Sequence, residues 1–239
     1  YLTQERPRGE LVGLVDPAAL AAALRPCDVL LVEGNTRLSV AIKYLTQSTW
    51  SHAALYVGGA LGPAPDGGEA RVLIEADVRA GVRGVPLGDY TSMHTRICRP
   101  AGLTDEDAAR VCAYAVARIG HQYDLKNVID LARYLLPTPP VPARFRRRMI
   151  AFGSGDPTRA ICSTLIAQAF QSVRFPILPE VSRVKTGDPA CDDCYEDILR
   201  IRHHSLFAPR DFDVSPYFDV VKPTVEAGFD YRALRWREP

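Results

Sequence analysis

The sequence predicts an α+β fold in which an antiparallel sheet packs against helices, and three observations lead there. Residues His52 to Val57 and Arg71 to Asp77 alternate between two faces, with the period of two that a strand imposes. Cys162, Leu165, Ile166, Ala169 and Val173 fall at i, i+3, i+4, i+7 and i+11, which is one face of a helix. The 239 residues show no internal repeat and no clear linker, so a single domain over 1–239 is the economical expectation.

Taken in order, residues 16–25 read as a short Ala/Leu helix opened by Asp16 as N-cap and Pro17 at the first position. Val29 to Val32 reads as a buried strand, and 38–47 as a helix that leads into the strand starting at His52. Gly58 and Gly59 stop that strand. In the next one Val72, Ile74 and Ala76 share an apolar face while Glu75 points the other way, and Arg71–Asp77 pairs with Val82–Pro86 as a hairpin. Thr95 to Arg99 is a short strand with Cys98 in the core. Thr104 with Asp107 resembles a capping box before a helix to about Gly120, on which Cys112 shares the core face with Ala108, Val111, Ala115 and Ile119. Leu125, Val128, Ile129, Ala132 and Leu135 mark a second amphipathic helix, ended by Pro137.

Three of these runs each carry one reactive side chain in apolar surroundings: His52, Glu75 and Cys162. Neighbouring strands can present His52 and Glu75 on a common face, where the carboxylate fixes the imidazole tautomer and stabilises its charged form. Cys162 looks inward from the start of its helix, where free backbone N–H groups and the macrodipole favour a thiolate. The N–H of Ser163 is placed to contribute to an oxyanion hole. Asp156 and Pro157 form an alternative helix start, which would put Cys162 deeper and weaken the dipole effect. An imidazole, a carboxylate and a thiol together are the parts of a thiol nucleophile.

Four segments carry a family resemblance. Asp28-Val29-Leu30-Leu31-Val32-Glu33-Gly34, Thr49-Trp50-Ser51-His52-Ala53-Ala54-Leu55-Tyr56-Val57-Gly58, Ile74-Glu75-Ala76 and Cys162-Ser163-Thr164-Leu165-Ile166 resemble the YiiX/YebB-like family. These are circularly permuted papain-fold proteins of the bacterial NlpC type, distantly similar to the lecithin:retinol acyltransferase group. The resemblance implies a permuted papain-like fold, with an early histidine at His52, a late nucleophile at Cys162 and a third, polar position at Glu75. The stretch Gly120-His121-Gln122-Tyr123-Asp124 and the tail from Pro209 to Phe218 are similar to such sequences as well. Tyr56, Ser163 and Tyr123 are accordingly the expected substrate-binding residues. The implied activity is that of a cysteine amidase or peptidase-like hydrolase working through a thioester, with no cofactor. Its substrate would be a small molecule, a peptide or an acyl amide. An acyltransferase or lipid esterase of the same fold, and a lipid- or peptide-binding module without turnover, stay open beside it.

Composition adds bounds. A formal net charge of +1 gives no reason to expect nucleic acid. No apolar run approaches the roughly 20 residues that span a bilayer. A cytoplasmic location is favoured, and because the chain opens at Tyr1, read as a processed start, a periplasmic one stays open. Among the six cysteines only Cys191 and Cys194, two residues apart and followed by His203, have metal-ligand spacing, a weak zinc candidate. Residues 137–160 read as a lid or insertion. Pro137 to Pro142 cannot continue a helix, and Arg144, Arg146, Arg147 and Arg148 among apolar neighbours offer a contact for an anionic lipid surface.

Overall fold

The computed structural model describes residues 15–64, 67–77, 80–122, 161–185 and 195–233. The expected early elements form at nearly the expected places. Helix α1 (Pro17–Ala23) is capped by Asp16, whose carboxylate accepts the Ala19 N–H. Strand β1 (Val29–Val32) precedes α2 (Arg37–Thr46), which Thr36 caps. Strands β2 (His52–Tyr56), β3 (Arg71–Asp77), β4 (Gly81–Pro86) and β5 (Thr95–Pro100) follow. Gly58, at φ +57°, takes the left-handed turn that ends the β2 run. Helix α3 (Asp105–Val116) starts at Thr104, which accepts the Asp107 N–H at 3.2 Å. It stops four residues short of Gly120, and the chain there turns so that the Gly120 N–H donates to the Val82 carbonyl. The helix expected over 125–135 and the segment 137–160 lie outside the described residues. Helix α4 (Ile161–Gln171) carries Cys162.

Later elements complete the sheet in a way the sequence reading did not anticipate. Strands β6 (Glu180–Lys185) and β7 (Tyr195–Arg200) form a separate two-stranded sheet, and α5 (Pro209–Asp213), β8 (Phe218–Val221) and α6 (Pro223–Glu226) follow. Strand β8 joins the main sheet beside β5, giving the order β4-β3-β2-β1-β5-β8 with every described pair antiparallel.

This sheet is covered on both faces, which explains why β1 is apolar throughout. Val29 and Leu31 point into one core with Ala53, Leu55, Ile74, and with Leu165, Ile166 and Phe170 of α4 and Val111 and Ala115 of α3. Leu30 and Val32 point into a second core with Ala54, Leu73, Ile97, and with Leu20 and Leu24 around α1. Val72 departs from expectation. A register shift between Arg71 and Leu73 turns it towards the second core, away from Ile74 and Ala76. A buried ion pair ties the centre together: Arg99 donates from Nε and Nη2 to the two oxygens of Asp28 at 2.9 and 2.7 Å, and from Nη2 to the Ala23 carbonyl.

Candidate active site

Strand parity sets the first half of the site. Ala53 and Leu55 are committed to the α4 side of the sheet, so His52 and Ala54 face the second core. On β3, Ile74 and Ala76 take the α4 side and Glu75 turns towards His52. The start of β2 is anchored from several directions. The Ser51 hydroxyl accepts the Gly34 N–H at 2.9 Å, and Trp50 Nε1 donates to Asp213 at 2.9 Å. Arg96 lies over the Trp50 ring and pairs with the same Asp213. A side chain on Gly34 would collide with the Ser39 hydroxyl and stand 2.9 Å from that of Ser51, so the close approach requires glycine.

Three further side chains meet at Glu75. Its Oε2 accepts from His52 Nε2 at 2.6 Å and from the Tyr90 hydroxyl. Its Oε1 accepts from Arg83 Nε at 2.8 Å and Nη2 at 2.7 Å. Arg83 is the direct cross-strand partner of Glu75 in the β3–β4 hairpin, and Tyr90 ends the 3₁₀ turn after β4.

Helix α4 supplies the second half. The thiol of Cys162 lies against the His52 side chain and the backbone N–H of Ala53, near enough for both to act on its ionisation. Since Nε2 serves Glu75, Nδ1 is the ring nitrogen left for sulfur. The Ser163 side chain is fully buried, its Oγ 4.0 Å from the sulfur, so it lies beneath the thiol. The His52 side chain keeps 24% of its surface open to solvent.

These contacts set the protonation states. Burial opposes charge on His52, but the Cys162 thiolate and then the Glu75 carboxylate outweigh it and raise the imidazole to about 10. Burial also opposes ionisation of Cys162, and the His52 charge, its hydrogen bond and the Ala53 N–H overcome that and lower the thiol. Burial alone would raise Glu75, yet hydrogen bonds from His52, Tyr90 and Arg83 hold it down at about 2. The shifts favour the charged forms of all three side chains, the chemistry of a thiol nucleophile with its base and orienting carboxylate.

The structure thus brings His52, Glu75 and Cys162 together. Tyr56 lies four residues, about 13 Å, along β2 from His52 and packs against the second core. Tyr123, the arginines at 144 and 146–148, and Cys191 and Cys194 lie outside the described residues. His203 caps a 3₁₀ turn by accepting the Ser205 N–H. Two contributors escaped the sequence reading. Arg83 had a signal, since the expected hairpin sets it across from Glu75. Tyr90 had none, because no periodic pattern places a turn residue under a histidine.

Residues 23–134 match the family described as permuted papain-like amidase enzyme, YaeF/YiiX, C92 family. The matched stretch holds His52, Glu75, Arg83 and Tyr90, and ends before Cys162. Among solved structures, the chain is similar to the crystal structure of metalloprotein yiiX from Escherichia coli O157:H7, at 15% identity and a TM-score of 0.47, covering 84% of this chain and 97% of that one. Among curated proteins, it is 28% identical over 141 residues to the Holliday junction branch migration complex subunit RuvB of Campylobacter fetus subsp. fetus (strain 82-40). That match takes in 57% of this chain and spans 40% of the relative's length. The sequence contains no G-x-x-x-x-G-K-[ST] phosphate loop.

Proposed function

We propose, from the match of residues 23–134 to the permuted papain-like amidase family, that the chain cleaves amide bonds through a thioester on Cys162. The observation that carries the reading is the double contact of the His52 ring, with Glu75 on one side and the Cys162 sulfur on the other. The thiolate attacks the substrate carbonyl and the oxygen takes the displaced electron pair. His52, charged at the outset, gives its proton to the leaving amine as the tetrahedral species collapses to the thioester. The neutral ring then takes a proton from water, which attacks the thioester; the acid leaves and the thiolate returns. Glu75 keeps the ring oriented and stabilises its charge through both steps. Tyr56, Ser163 and Tyr123 remain our candidates for contacts with a peptide or acyl-amide substrate, Ser163 through its backbone N–H.

An activated acyl donor tests this without knowledge of the natural substrate. Brief exposure to 4-nitrophenyl acetate should leave a single acetyl group, mapped by peptide mass to Cys162, that decays as water attacks. Cys162→Ala should abolish the adduct. Acetylation spread over several cysteines, or unchanged in Cys162→Ala, would refute the assignment.

A further inference from the structure

Glu75 has more donors than the orientation of one imidazole needs. Its side chain is 5% exposed, and both oxygens are filled, one by His52 and Tyr90 and the other by two nitrogens of Arg83. The Tyr90 hydroxyl also stands 3.3 Å from His52 Nε2, and the two rings stack with centroids 6.1 Å apart. Glu75, Arg83 and Tyr90 come from one hairpin and the turn that follows it.

We propose that Arg83 and Tyr90 are positioning residues of the amidase centre, which act through Glu75 to fix the His52 ring and balance the charge of the His52–Cys162 pair. The proposal deepens the reading of Cys162 as nucleophile and rests on it.

Charge counting carries the first part. Thiolate and carboxylate together bring two negative charges into a mostly buried cluster, and imidazolium supplies one positive charge. Arg83 supplies the second, and the cluster is neutral. Asp77, also on β3, adds negative charge near Arg83. Without Arg83 the buried group carries a net negative charge, so the thiol and the imidazole would both hold their protons more tightly. The Arg83 side chain is 49% exposed, so its replacement does not open the core. Tyr90 acts by geometry. Its hydroxyl stays protonated, because burial and the neighbouring Glu75 charge raise it, so it donates to the carboxylate across the working pH range. Arg83 holds one oxygen and Tyr90 the other, which leaves His52 Nε2 a single orientation in which to donate.

The rate of Cys162 alkylation by iodoacetamide against pH, followed by peptide mapping, reads this without a substrate. Arg83→Gln should move the acidic midpoint up by about 0.5 to 1 pH unit, a three- to tenfold loss of rate below the midpoint. Arg83→Lys should restore most of it. Tyr90→Phe keeps the ring but removes a donor from Glu75. By NMR, His52 should then lose its proton at higher pH than in the wild type. A purely structural role would lower the rate without moving either midpoint. An unmoved midpoint in Arg83→Gln, or one that Arg83→Lys fails to restore, overturns the role of Arg83. An unshifted His52 titration in Tyr90→Phe overturns that of Tyr90. If wild-type Cys162 is alkylated no faster than Cys98, the nucleophile reading itself fails, a result separable from these.

Discussion

Cys98 and Cys162 are both nearly sealed from water, at 0% and 4% exposed, yet their thiols are driven in opposite directions. Burial pushes Cys98 up to about 12, aided by the charge of Asp213. Cys162 meets the same burial cost, and an imidazolium beside it reverses the outcome. Cys27, 3.5 Å from the Cys112 sulfur, is also raised, first by its hydrogen bond to Cys112 and then by burial. At about pH 6.5, iodoacetamide should therefore strike Cys162 ahead of Cys27 and Cys98. His52→Ala should erase that preference, since burial alone then governs the thiol. Glu75→Gln should slow turnover by about one to two orders of magnitude while Cys162 stays accessible, because the ring loses its orienting charge. Steady-state kinetics beside a native circular-dichroism spectrum would check it. The three reactive residues were legible in the sequence because each interrupts an apolar pattern. Tyr90 was not, because its hydroxyl reaches Glu75 from a turn whose course depends on tertiary packing.

At the scale of elements, legibility followed periodicity. Strands β2 and β3 alternate, α4 has an unbroken apolar face, and Asp16, Thr36 and Thr104 accept the N–H bonds that open their helices. Strand β8 is four residues long with its middle pair exposed, so no sequence pattern shows that it lies beside β5. Long-range pairing of that kind is decided by what remains unpaired when the rest has folded. The joint between β1 and β5 also hid its strongest element. Asp28, just before β1, is a fully buried carboxylate held by the Arg99 fork and by the Arg25 N–H. Asp28→Ala should cost about 3–5 kcal/mol, because it strands a guanidinium in a largely buried position. Urea unfolding measures the loss, and a change below about 1 kcal/mol would show that water reaches Arg99 freely.

For the molecule as a whole, the site predicts how stability varies with pH. His52 is raised from 6.5 to about 10, so its contribution is whole below pH 6.5 and is lost as pH climbs to 10. Cys162 is lowered from 9.0, so its contribution grows as pH rises towards 9. Between 6.5 and 9 the two slopes oppose each other, since folding moves a proton from sulfur to ring. Glu75, lowered from 4.5 to about 2, stabilises above pH 4.5 and loses that effect as pH falls to 2. The thermal midpoint should thus be flattest between about pH 6.5 and 9, falling above about 9 as His52 loses its proton and below about 4.5 as Glu75 gains one. In Cys162→Ala the flat region should tilt, because His52 then titrates without its counterpart. The order of the parts along the chain has a consequence in time. His52 and Glu75 leave the ribosome well before Cys162, which follows His52 by 110 residues. At about 5–20 residues per second that is an interval of roughly 6 to 22 seconds. For that time the nascent chain holds the base and its carboxylate but no nucleophile. On the proposed mechanism a stalled or prematurely terminated product is therefore chemically silent, and reactivity arrives only when a late helix docks onto strands already made.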